Sequence, residues 1–112
     1  MNIVLSPQRR DDEYVLVKSG DAISINGEIF DFSQMGEGDS LPASAIQSEW
    51  FVDKVERIEG QLNITLLFPN PWNYSPAQAF PEPLLAVPDG PVTLPEPLSI
   101  KGHETEAVGE MP

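Results

Sequence analysis

The fold of this 112-residue chain is decided by a short stretch of sequence, AISINGEIFDF at residues 22–32. Apolar and polar side chains alternate on both sides of Asn26-Gly27, so each arm of the stretch has one apolar face. The side chains of these faces are Ile23, Ile25, Phe30 and Phe32. Asn-Gly suits a type I′ turn, because both central residues of that turn need a positive φ. The stretch therefore predicts a β-hairpin.

The residues before this hairpin extend it. Residues 14–18 are rich in β-branched and aromatic side chains, and Ser19-Gly20-Asp21 is typical of a turn. Residues 14–32 therefore predict a three-stranded antiparallel meander.

A second regular unit spans residues 49–68, and Glu59-Gly60 divides it. Apolar residues alternate over residues 62–68, which indicates a half-buried strand. The first arm loses this phase, and a β-bulge near Asp53-Lys54 would restore it. The alternative for this arm is a helix with Ile46, Trp50, Lys54 and Ile58 at i, i+4 spacing. We prefer the strand, because the Glu-Gly turn and the clear partner strand favour a hairpin.

Proline divides the chain into segments. Ten of the twelve prolines follow residue 68, and proline removes a backbone donor wherever it stands. We therefore expect a β-rich body at residues 1–68 and a proline- and aromatic-rich arm at residues 69–95. Within the arm, residues 84–87 and 92–94 predict a short edge hairpin that packs on the body. Residues 96–112 predict a disordered acidic tail.

Together these patterns predict an all-β domain, a small sandwich or partly open β-roll of about six to eight short antiparallel strands with a proline-rich C-terminal arm. The expected core consists of Val4, Val15, Val17, Ile23, Ile25, Phe30, Phe32, Trp50, Val52, Ile64 and Leu66.

The arm contains the candidate binding residues. In one interpretation its rings fold back and cover an open sheet face, which is the more common arrangement. In the other the arm docks on a neighbouring subunit, since rigid proline-rich segments lose little entropy on binding. The partner-binding residues would then be Trp72, Tyr74, Phe80, Pro81 and Pro83. The two interpretations are compatible at different residues.

The charge excludes some partners. Eighteen acidic and six basic residues give a net charge of −12, which repels nucleic-acid backbones and anionic membranes but allows a basic protein partner. The chain has no cysteine and a single histidine, His103, and it has no Gly-x-Ser-x-Gly or phosphate-binding loop. We therefore expect no enzymatic activity, no catalytic or metal-binding residue and no cofactor.

Several scattered segments resemble small proteins encoded in the tail-gene region of bacteriophages and prophages of Gram-negative bacteria. These segments are residues 3–11 (IVLSPQRRD), 25–28 (INGE), 30–32 (FDF), 55–58 (VERI) with Gly60, and 89–92 (DGPV). Residues 71–75 diverge from the group. None of the shared residues forms a catalytic or ligand motif, so the resemblance implies a role in the virion or in tail assembly without assigning site residues.

The expected function is that of a structural or assembly protein of a phage tail that contacts other tail subunits. The resemblance implies the host bacterial cytoplasm during assembly, and the virion tail afterwards. Homo-oligomerisation stays open. One alternative is an acidic inhibitor or nucleic-acid mimic of a basic host protein, which needs carboxylates in a row. Another is an acid-catalysed hydrolase, which needs two buried carboxylates facing a cleft.

Overall fold

The hairpin at Asn26-Gly27 is confirmed in the computed structural model, which describes residues 1–99. Asn26 and Gly27 both have positive φ, at 52° and 90°, as a type I′ turn requires. The meander is confirmed as well, with strands β2 (Leu16–Ser19), β3 (Ala22–Ile25) and β4 (Glu28–Asp31) pairing antiparallel.

The second hairpin consists of β6 (Lys54–Ile58) and β7 (Gln61–Asn70), which rules out the helical alternative for this segment. It turns at Glu59 and Gly60, whose φ values are 53° and 78°. A short strand β5 (Ser40–Pro42) pairs with β6 on the other side, and a single 3-10 turn, Ala43–Ala45, follows it.

The predicted bulge before β6 is present. Glu56 faces Asn63 and Phe51 faces Leu66, so the first arm advances five residues while its partner advances three. Asp53, within the bulge, has a φ of 66°. The extra residues rotate the chain so that Phe51 becomes buried. The expectation that Val52 belongs to the core is therefore wrong, because Val52 is only half-buried and Phe51 takes the inner position. Trp50 is half-buried as well, but it packs against the core.

Strand β1 (Asn2–Arg9) pairs with β7 in parallel, from Asn2 opposite Asn63 to Arg9 opposite Asn70. The expectation of antiparallel strands alone is wrong at this pair. Parallel pairing needs a long crossover connection, and here the connection runs through the other sheet. The described strands form two four-stranded sheets, β1-β7-β6-β5 and β4-β3-β2-β8, where β8 is the short strand Gly90–Pro91, and the sheets are arranged as a sandwich.

The arm joins the two sheets instead of forming its own hairpin, which corrects the prediction for residues 84–94. Leu84 bridges Ile3 at the edge of one sheet, and β8 (Gly90–Pro91) pairs with β2 at the edge of the other. Val87, between them, is buried in the core. Each half of the arm pairs with an unoccupied sheet edge, which satisfies its backbone groups better than a short proline-flanked hairpin would.

The structure is continuous across the other two predicted segment boundaries, after residues 68 and 95. Strand β7 crosses the expected boundary at residue 68 and continues to residue 70. Residues 96–98 form hydrogen bonds with residues 73–75. The rest of the predicted tail, residues 100–112, lies outside the described residues.

Five residues of the predicted core are buried as expected: Ile23, Ile25, Phe32, Ile64 and Leu66. Phe30 and Trp50 are half-buried and pack against the core, while Val17 and Val52 are half-buried. Val4 and Val15 are exposed, so their prediction is wrong. The opposite face of each of these strands is the inner one, and it contributes buried residues that were not predicted: Ile3, Leu5 and Leu16.

Arg57 connects the two sheets. From β6 its guanidinium donates to the backbone oxygen of Met35 at 2.6 Å and to the carboxylate of Asp21, in the β2–β3 turn, at 3.0 Å. The Arg57 side chain is only 14% exposed and that of Asp21 is 43% exposed, so water is largely excluded from the guanidinium and reaches only the carboxylate. This cation therefore fixes the spacing of the two layers at one end of the sandwich.

Candidate functional site

Three predicted partner-binding rings lie together on the surface. Trp72 is 62% exposed, Tyr74 48% and Phe80 82%. They surround an open depression of about 620 Å³ together with Leu98. The interpretation in which these rings fold back and cover a sheet face is therefore wrong. We call the surface formed by Trp72, Tyr74, Phe80 and Leu98 the aromatic surface.

A single helical turn, α1 (Pro76–Ala79), positions the aromatic surface. The Ser75 hydroxyl accepts from the backbone N–H of Gln78 at 3.2 Å, and the Gln78 side chain accepts from the backbone N–H of Ser75 at 3.1 Å. This capping box supplies the acceptor for the backbone N–H of Ser75 and adds a second acceptor for the backbone N–H of Gln78, which also donates to the backbone oxygen of Ser75 at 3.0 Å. Pro76 at the first helical position is pre-organised for the turn, and Phe80 follows its last residue.

Residues 96–98 hold the same turn from outside. The Ser75 hydroxyl donates to the backbone oxygen of Glu96 at 2.6 Å. The backbone N–H of Leu98 donates to the backbone oxygen of Asn73 at 2.9 Å, and the Asn73 side-chain amide donates to the oxygen of Leu98 at 2.7 Å. These bonds place Leu98 beside the rings.

The base of the turn is anchored to strand β7. The buried side-chain amide of Asn70, at the end of β7, donates to the backbone oxygen of Gln78 at 2.9 Å. Asn70, Ser75 and Gln78 are the buried polar residues of the described chain, and all three support this one segment. The aromatic surface is therefore held by buried hydrogen bonds, although its rings face water.

The other two predicted partner-binding residues lie elsewhere. Pro81 is half-buried and does not line the depression, and Pro83 is exposed beside a different depression of about 320 Å³ that also contains Leu85. Leu98 was missed by the sequence analysis. It stands in a stretch without apolar periodicity, and only its hydrogen bonds to Asn73 bring it to the rings.

The acidic side chains give little support to a mimic of nucleic acid. Many of them are engaged within the chain, and apart from the neighbours Asp11 and Asp12 the carboxylates in ion pairs are far apart in the sequence. The carboxylates in ion pairs are Asp11, Asp12, Asp21, Glu49, Glu56 and Asp89. In addition, Glu37 accepts from the backbone N–H groups of the β6–β7 turn. A mimic of nucleic acid needs a row of free carboxylates at phosphate-like spacing, and carboxylates that already form ion pairs or hydrogen bonds within the chain cannot serve in that row.

Residues 1–99 also lack the buried carboxylates that acid-catalysed hydrolysis would use. None of their carboxylates is buried, and no group of three possible metal ligands occurs among them. His103 lies outside the described residues. The hydroxyl of Tyr14 is buried with no hydrogen-bond partner in the described chain, and burial raises the pKa of this phenol. Tyr14 is therefore neutral at physiological pH, and it packs on Trp50 at 5.2 Å.

Comparison with family models, with curated proteins and with solved structures finds no match to this chain. Among residues 1–99 no helix is long and apolar enough to cross a membrane.

Proposed function

We propose that this chain is a non-enzymatic structural or assembly protein that acts through protein–protein contacts at the aromatic surface. The observation that carries the proposal is the exposure of Trp72, Tyr74 and Phe80 on a short segment, residues 72–80, that buried and partly buried hydrogen bonds hold in place. Large aromatic side chains near the centre of an interface dominate binding energy in many complexes.

The energetics favour binding over a role in folding. Fully burying one large apolar side chain contributes about 1.5–3 kcal/mol, and this gain is not realised while the rings of the aromatic surface face water. The turn that carries them is already ordered, so a partner would not have to supply the entropy cost of ordering it. Exposed rings on a pre-organised segment suit a binding surface.

The resemblance at residues 3–11, 25–28 and 30–32 suggests a phage or prophage tail as the setting. In this proposal the partners are other tail subunits, the chain meets them in the host cytoplasm during assembly, and it stays in the virion tail when its role is structural. Protein-only contacts agree with a net charge of −12, which opposes binding to nucleic acid.

The experiment uses the phage or prophage that encodes the chain. Particles are purified and their proteins identified by mass spectrometry, with the wild-type chain, the double variant Trp72→Ala/Phe80→Ala and the control Leu85→Ala. Leu85 is 71% exposed and lines a different depression. It is therefore about as exposed as Trp72 and Phe80, but it lies outside the aromatic surface.

We expect the double variant to lower the yield of infectious particles at least tenfold and to be lost from any particle fraction that contains the wild-type chain. The Leu85→Ala chain should behave as wild type. Normal particle yield with the double variant, together with absence of the wild-type chain from particles and from tail intermediates, would overturn the proposal.

A further inference from the structure

The four outer edges of the two sheets differ in their capacity to pair with another strand. Three edge strands contain a proline, at Pro7 in β1, Pro42 in β5 and Pro91 in β8. Proline lacks the N–H that a new strand would need, and it is a common device for blocking sheet edges. Strand β4, Glu28–Asp31, contains no proline. It is therefore the edge best able to accept another strand.

The register shows which backbone groups of β4 are free. Ile25 and Glu28 flank the two-residue turn, and the backbone N–H of Phe32 donates to the oxygen of Asp21 at 2.9 Å. Bonding to β3 in an antiparallel pair alternates along the strand, so residues 28, 30 and 32 face β3. The backbone N–H and C=O groups of Ile29 and Asp31 consequently point away from the sheet. Within residues 1–99, no backbone group of a loop or turn forms a hydrogen bond with the backbone of either residue.

The side chains at this edge define what can dock there. Ile29 is 72% exposed and lines a depression of about 340 Å³ on the outer face of the sheet, together with Val17. Glu28 and Asp31 lie on either side of Ile29 and Phe30 and are exposed, and neither forms an ion pair with any residue of the described chain. The Asp31 carboxylate accepts one hydrogen bond, from the backbone N–H of Ser33 at 2.9 Å, and keeps its charge uncompensated. The edge thus combines free backbone groups, one apolar contact and two unpaired negative charges.

We propose that β4 binds an extended, basic segment of a partner protein, which adds to the sheet as an antiparallel strand. A basic side chain would lie opposite Asp31 and another opposite Glu28, and apolar residues would lie opposite Phe30 and Ile29. The motif recognised is therefore basic–apolar–apolar–basic. Main-chain hydrogen bonds supply affinity in this mode, and the side-chain pairs supply specificity.

Charge selects this occupant over a second copy of the chain. A second copy would bring another Glu28 and Asp31 to the same edge, within a molecule whose net charge is also −12. Like charges on paired strands are destabilising, and charged side chains at an edge protect it against pairing with other edges. A basic strand instead gains two ion pairs at the same positions. This surface is separate from the aromatic surface, so either proposal can fail alone.

The test is a titration of the isotope-labelled full chain, followed by NMR, with a capped peptide Gly-Lys-Val-Val-Lys-Gly. We expect chemical-shift changes centred on the amides of Ile29 and Asp31, and none at Trp72 or Phe80. The acidic peptide Gly-Glu-Val-Val-Glu-Gly should cause no such changes. The double variant Glu28→Lys/Asp31→Lys should reverse this preference.

A backbone variant tests the strand pairing itself. Ile29→Pro removes the outward N–H without breaking a bond to β3, while Ile29→Val keeps it and serves as the control. We expect the proline variant to weaken peptide binding at least tenfold and to keep the wild-type spectrum beyond β3 and β4. The proposal is overturned if the basic peptide causes no shifts at millimolar concentration, or if the shifts map elsewhere. It is also overturned if light scattering shows a dimer of the chain that Ile29→Pro abolishes.

Discussion

Two phenylalanines of the chain offer a direct comparison between core and surface. Phe51 is 6% exposed, and its ring contacts those of Phe30 at 4.9 Å and Phe32 at 5.7 Å. Phe80 is 82% exposed and lies on the aromatic surface. If the aromatic surface is reserved for a partner, Phe51→Ala must destabilise the isolated chain and Phe80→Ala must not.

The magnitudes follow from burial. Replacing a buried phenylalanine by alanine costs about 3–5 kcal/mol, because apolar contacts are lost and a cavity remains. A domain of this size has a free energy of unfolding of about 5–15 kcal/mol, so Phe51→Ala removes roughly a third to a half of a mid-range value. The midpoint of thermal unfolding should fall by about 12 °C or more. Phe80→Ala should change the free energy of unfolding by less than about 0.5 kcal/mol.

Urea unfolding followed by far-UV circular dichroism measures both variants against wild type. The reasoning would be refuted if Phe80→Ala lowered the free energy of unfolding as much as Phe51→Ala does. In that case the rings of the aromatic surface would be part of the folding core, and the proposed interface would lose its basis.

Three further predictions concern the body of the domain. Arg57→Met should lower the free energy of unfolding by about 1–3 kcal/mol in urea titrations, because it removes the charged hydrogen bonds to Asp21 and to the backbone oxygen of Met35; a change below about 0.5 kcal/mol would contradict the bridging role. Gly27→Ala should cost about 1–2 kcal/mol in the same assay, since Gly27 has a φ of 90° and an added Cβ meets no atom, so backbone strain alone acts. The hydrogen bond from Lys18 lowers the pKa of the Asp89 carboxyl. The stabilisation that this bond gives is therefore present above the ordinary carboxyl pKa of about 4, and it is lost as the pH falls through the lowered pKa. Asp89→Asn should accordingly destabilise the chain at neutral pH and unfold like wild type in strong acid. A difference in stability that persists in acid would contradict this sign.

The local hairpins could be predicted because their signals are short-range. Asn26-Gly27 and Glu59-Gly60 fix turns through backbone φ, and the alternation beside them gives strand type and the inner face of β3 and β7. The parallel pairing of β1 with β7 had no such signal. It joins residues about sixty positions apart, and nothing in residues 2–9 specifies a partner.

The inner face of a strand was hard to predict where both faces are apolar. In residues 14–17 the sequence offers Val15 and Val17 on one face and Leu16 on the other, and packing against the second sheet selects Leu16. The site was partly predictable for a similar reason. Composition indicated the rings of residues 72–80, but their exposure depends on Ser75 and Asn70, whose bonding partners only the fold brings together.

The central claim, that the aromatic surface contacts another protein, is tested most directly by photo-crosslinking in the cell that produces the chain. A photoreactive benzoylphenylalanine replaces Phe80 in one chain and Leu85 in another, and crosslinked products are identified by mass spectrometry. Both positions are similarly exposed, so they control for random collision. The account predicts a discrete product of position 80 with a tail subunit, and a much weaker one at position 85. Equal, diffuse products at the two positions would contradict it.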